Sequence, residues 1–173
     1  MCIQHPPVKA QIANHHCTDI DETNASLKGE AALREFVDAQ RPDLLNSDVK
    51  GLVNAMVTIL PEADKAAMLE NDEVASDTIA SFHEALKHGT DGWVDDDLAF
   101  ISPWGFDVGE VKCPVLLWQG TEDLMVPFGH GKWIAEHVPE KHLTKHLQEG
   151  HGHISIFMGQ VEKMVDELIA VGK

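Results

Sequence analysis

The sequence predicts an α/β protein, with a run of helices followed by a parallel strand–helix–strand–helix unit. Three observations carry this. Between Ser26 and His88 apolar residues recur at helical spacing and no strand candidate appears. Two short runs, Val115–Trp118 and His142–Leu147, then flank an amphipathic stretch, Phe128–His137, with short loops between them. A last periodic segment, Ile154–Val171, carries Phe157, Val161, Met164, Val165 and Leu168. Strands joined through a helix pair in parallel, with helices covering the sheet. At 173 residues and 43% hydrophobic, the chain can bury a sizeable core as one domain or one domain with an appendage.

Residues 1–25 are polar and without period, and read as loop or frayed terminus. In the first helix Leu33, Phe36 and Val37 fall at i, i+3, i+4, and Pro42 is expected to stop it. Ser47 is the expected cap of a second helix carrying Val49, Val53, Met56, Val57 and Leu60. Pro61-Glu62 opens a third, short helix. A fourth carries Ile79, Phe82 and Leu86 and ends at Gly89. Of Asp95, Asp96 and Asp97, one is read as a helix cap and the others as solvated, in preference to a cation site. Trp104 and Phe106 flank a glycine and either wedge a loop into a core or line a pocket.

The formal net charge is −16, from 29 acidic and 13 basic residues. Such a surface repels phosphate backbones and anionic lipid, which argues against nucleic-acid or membrane partners; the expected partner is a small-molecule substrate. No apolar run approaches the roughly 18–20 residues of a membrane helix, and the N-terminus lacks the pattern of a signal peptide. Three cysteines, Cys2, Cys17 and Cys113, form neither a paired framework nor a CxxC spacing, so a reducing cytoplasm is expected. His15-His16-Cys17 with Asp19 is too crowded along the chain to converge on one ion, and no metal or cofactor is expected.

The chemistry gathers beyond the two strands. In parallel sheets ligands bind outside the carboxyl ends of the strands. Asp123 follows the first strand and His153 the second, thirty residues later. Neighbouring strands lie about 4.8 Å apart, so side chains on adjacent C-terminal loops can touch. A histidine moves protons near neutral pH, and a carboxylate on its other ring nitrogen fixes the tautomer and stabilises the imidazolium. Gly150 and Gly152 allow the histidine loop to bend sharply. The competing reading makes Asp123 a turn residue and His153 a helix neighbour. His151 is a second candidate base, whereas His130, His137, His142 and His146 are read as surface residues.

Gly120-Thr121-Glu122-Asp123-Leu124-Met125-Val126-Pro127 resembles the G-x-x-D-x-x-V-P acid loop of the α/β-hydrolase family. Gly152-His153-Ile154-Ser155 resembles its G-H-x-S histidine loop. The resemblance implies Asp123 as triad acid and His153 as general base. Ser102 to Asp107 is similar to the segment that precedes the acid-bearing strand in one group of these hydrolases. The implied organisation is an unmatched segment 1–19, a helical lid over 20–100, and a C-terminal α/β unit over 101–173. The chain would then be the lid and C-terminal part of an α/β-hydrolase fold, acting on an ester, amide or related bond.

One departure outweighs the matches. The family's nucleophile sits on a G-x-S-x-G elbow, and no such motif, nor its Cys or Asp variant, occurs in the sequence. Ser102 and Ser155 are not on strand-to-helix elbows and Cys113 precedes a strand, so none substitutes. Chemistry is expected to need a nucleophile from a missing segment. The alternatives are a non-catalytic binding or assembly module that self-associates through an exposed sheet edge, and a truncated, inactive fragment.

Overall fold

The computed structural model describes residues 17–172. His15 and His16 of the histidine-rich N-terminal cluster lie outside them, and no group of three or more metal-ligating side chains occurs among the described residues. Helices α1 (Cys17–Lys28), α2 (Glu30–Asn46), α3 (Val49–Ala55), α4 (Glu62–Glu70), α5 (Asp72–Leu86) and α6 (Asp91–Ile101) come first. They are followed by β1 (Val115–Gly120), α7 (Phe128–His137), β2 (Leu143–Gln148) and α8 (Val161–Val171). The fold is α/β in character, with a small two-stranded parallel sheet.

Helix α1 corrects the loop expected up to residue 25. It packs against α2 across Gly29, whose φ of 108° is open to glycine and strained for other residues. Ala25 meets Leu33, Val37 and Val94 in a buried cluster, and Glu22 accepts a 2.6 Å hydrogen bond from the Trp93 indole. These contacts order a polar stretch whose local pattern carries no period. Pro42 does not stop α2 either. The helix runs four residues past it because Leu44 in the last turn is buried against Leu52, Val53, Met56, Leu60, Met68 and Leu86. Burial of that face outweighs the lost backbone bond. The cap of α3 is Asp48, which accepts from Gly51 N at 2.8 Å, while Ser47 bonds back to Asp43 O. The acidic run sits inside α6 and caps nothing; Thr90 holds the N-terminal position.

Beyond the helices, β1 and β2 pair in strict register from Val115↔Leu143 to Gly120↔Gln148. Both therefore end together, and the chain leaves both strands at one edge. Among the described residues each strand pairs on one side only. The expected helix from Ile154 is interrupted: Ser155–Phe157 is a 3-10 turn, Gly159 adopts φ 68°, and α8 begins at Val161. Helix α8 turns Glu167 and Lys163 toward His146 and Trp118 of the sheet. Its apolar stripe, Val161, Val165, Leu168 and Ile169, faces outward, each residue 47–62% exposed. Trp104 and Phe106 are likewise not wedged into a core. They stack on each other at 5.9 Å, and Trp104 meets the edge of Trp133 on the surface. No helix among the described residues is long and apolar enough to cross a membrane.

Candidate functional site

The site forms where the two strands end. Thr121 N donates to Gln148 O and Glu122 N to His151 O, both at 2.9 Å, so the β1–α7 and β2–α8 loops continue the ladder beyond the sheet. Gly120 lets them approach this closely: a Cβ there would lie 1.9 Å from the His151 carbonyl oxygen. Asp123 follows, 7% exposed. Its Oδ1 accepts from Met125 N at 3.0 Å and Val126 N at 2.7 Å, folding the acid loop around the carboxylate. Its Oδ2 lies 3.0 Å from His153 Nδ1.

A carboxylate only accepts, so the neutral ring carries its proton on Nδ1 and leaves the Nε2 lone pair free. The His153 side chain remains 44% exposed, against 4% for Asp123. The ring is thus held from one side and open to solvent. The hydrogen bond to Asp123 raises the His153 pKa above its usual 6.5; burial opposes the rise, and the charges of Asp123 and Asp64 add to it. His151 is tied differently, its Nδ1 donating to Ser155 O at 3.0 Å. Of the two candidate bases, His153 is the one joined to Asp123.

Two of the four histidines read as surface residues are engaged, and a third, His130, is partly buried. His130 lies near Asp123 and is half-buried; burial lowers its pKa, Asp123 opposes this, and its Nε2 has no protein partner. His137 donates to Trp133 O at 2.7 Å and stacks on that indole. His146 stacks on Trp118 at 3.9 Å and pairs with Glu167 at 2.7 Å. Aromatic neighbours and the outward turn of α8 explain the difference, neither of which periodicity reveals.

Two residues of the site escape a reading of motifs. Gln119, the penultimate residue of β1, is buried and donates through Nε2 to Val126 O at 2.7 Å, holding the far side of the acid loop. Asp64, on α4, is 0% exposed. It accepts from His153 N at 2.8 Å, Ser155 N at 2.8 Å and Ser155 Oγ at 2.6 Å. A signal existed: Asp64 and Met68 are spaced four apart in α4, which puts a carboxylate on the same helix face as a buried methionine. The helical layer also reaches the site through Met125 and Ile154, which pack against its core. Ser155 is 6% exposed and spends its hydroxyl on Asp64 and Gly152 N. Cys113 is an exposed free thiol before β1. An open groove of about 610 Å³, lined by Gly109 to Lys112, Pro139, Lys141 and His142, lies where the strands begin, at the edge opposite the Asp–His pair.

Helix and strand, a small parallel sheet and an Asp–His contact at its C-terminal edge are what the chain displays. Against known proteins, a 43-residue stretch, 25% of the chain, is 37% identical to pimeloyl-[acyl-carrier protein] methyl ester esterase of Chromobacterium violaceum. It covers 17% of that esterase, and the likeness is confined to that stretch. No protein-family model matches the chain, and no solved structure does.

Proposed function

We propose that this chain carries the acid and the base of an α/β-hydrolase-type enzyme acting on an ester, amide or related bond. Asp123 orients His153 and stabilises its imidazolium. His153 takes the proton of a nucleophile through Nε2 and returns it to the leaving group. The helices over residues 20–100 form the lid, and the nucleophile comes from outside these 173 residues. The observation that carries the reading is the 3.0 Å contact between a buried Asp123 and a half-exposed His153 at two adjacent strand ends. The stretch shared with an esterase agrees with it.

A fluorophosphonate probe tests this. The chain alone is expected to show no serine labelling, since Ser155 is engaged and Ser102 lies on an exposed helix end, bonded to Leu98 O. Combined with a segment bearing G-x-S-x-G, encoded upstream or separately, it is expected to gain labelling at that serine and hydrolysis of a nitrophenyl ester. Labelling of the chain alone, or hydrolysis that survives His153→Ala in the combined protein, would overturn the proposal.

A second reading rests on a different observation. The outward stripe of α8 and the unpaired strand edges suit a non-catalytic assembly module that pairs with another chain. Light scattering behind size-exclusion chromatography decides it: a dimer persisting to low micromolar concentration supports the module, and a clean monomer counts against it.

A further inference from the structure

The structure assigns Asp64 as the positioning residue of the histidine loop: from the helical layer it holds the backbone on both sides of His153, and so sets the ring against Asp123. The catalytic meaning of this rests on the acid–base reading above. The positioning itself is a matter of geometry and is measurable without turnover.

A carboxylate with no solvent exposure is costly unless its oxygens are satisfied. Here three donors converge on two oxygens, and all three come from His153 and Ser155. Ser155 closes a ring by accepting from Gly152 N at 2.8 Å while donating to Asp64 Oδ1. The loop is built to receive this side chain. A Cβ on Gly152 would stand 2.4 and 2.5 Å from the two carboxylate oxygens and 2.5 Å from Pro61 Cγ. Asp64 also lies in the first turn of α4, where the helix dipole favours negative charge. Asp123 and Asp64 thus divide the histidine between them. Asp123 takes the ring and Asp64 takes the backbone, from elements 59 residues apart in sequence (123 − 64). Movement of α4 is therefore transmitted to the base.

NMR of the 173-residue chain tests the assignment through the His153 side-chain pKa, its Nδ1 proton and the exchange of the His153 and Ser155 amides. Asp64→Asn keeps the shape but turns one acceptor into a donor facing an N–H. It is expected to lower the His153 pKa, weaken the Nδ1 proton signal and speed the two amides by roughly tenfold or more. Met68→Ala, which opens the core from the same helix and removes no hydrogen bond to the loop, is expected to lower the Tm and leave the His153 pKa in place. Should Asp64→Asn not fold, Ser155→Ala carries the test, with a smaller change in the same direction. An unchanged His153 pKa and amide exchange in the folded variant, or an equal shift in Met68→Ala, would overturn the assignment. Failure of the acid–base reading looks different: hydrolysis by the combined protein would survive His153→Ala while the Asp64→Asn shifts remained.

Discussion

Gly120→Ala is expected to destabilise the protein by on the order of 3 kcal/mol and to part the acid loop from the histidine loop. The added Cβ would meet His151 O at 1.9 Å, His151 C at 2.3 Å and Gly152 O at 2.7 Å. These are backbone atoms, fixed by the Thr121–Gln148 and Glu122–His151 hydrogen bonds, so no side-chain rotation relieves the clash. Gly129→Ala is the natural control. It lies in α7 with open space around its position, and alanine there is expected to be neutral or stabilising by about 0.5–1 kcal/mol. Urea denaturation of the pair reads both effects. Equal stability of the two variants would mean that the strand ends are not held together as described.

Asp123→Asn is the second large effect. The asparagine amide would present N–H groups to His153 and favour the opposite tautomer, with the proton on Nε2 where the lone pair is needed. If the proposed acid–base role holds, kcat of the combined protein is expected to fall about 10⁴-fold, the loss seen when a triad carboxylate is replaced by its amide. In the chain alone the signature is linkage. His153 holds its proton more tightly folded than unfolded, so its contribution to stability is complete below the unfolded value of 6.5 and is lost as pH rises through the raised folded value. His130 runs the other way. Burial lowers its pKa, so its neutral form costs stability as pH falls below 6.5, and Asp123 softens that cost. Both consequences of Asp123→Asn therefore have one sign. The deficit of the variant against the parent should widen as pH is lowered from 8 to 5, measured by thermal unfolding. A deficit independent of pH would show that Asp123 and His153 do not share a proton.

Much of the α/β unit was legible because its signals are local. A short apolar run ended by Gly120, an amphipathic stretch and a second run give two parallel strands, and order along the chain puts Asp123 and His153 on one edge. Strand β2 lies one residue later than the spacing suggested, Leu143–Gln148. What was not legible depends on contacts between segments far apart. The helix at Cys17–Lys28 is ordered by Val94, Trp93 and α2, and nothing within residues 17–28 announces it. Pro42 is overridden by the burial of Leu44. The Ser155–Phe157 turn replaces a helical start because Asp64, 91 residues earlier, takes the Ser155 amide and hydroxyl. Spacing could place His153 beside Asp123, but Asp64, which bonds the backbone of the histidine loop, comes from another layer.

The outward stripe on α8 has a consequence for the protein as a solute. Apolar surface of this kind attracts its like at short range, and the net charge of −16 repels at long range. Salt shortens that repulsion, to about 8 Å at physiological ionic strength, and acid removes it as the pH nears the isoelectric point of about 4.9. The acidic excess thus acts as a colloidal stabiliser. The same molecule is expected to stay dispersed in dilute neutral buffer and to self-associate in brine or mild acid.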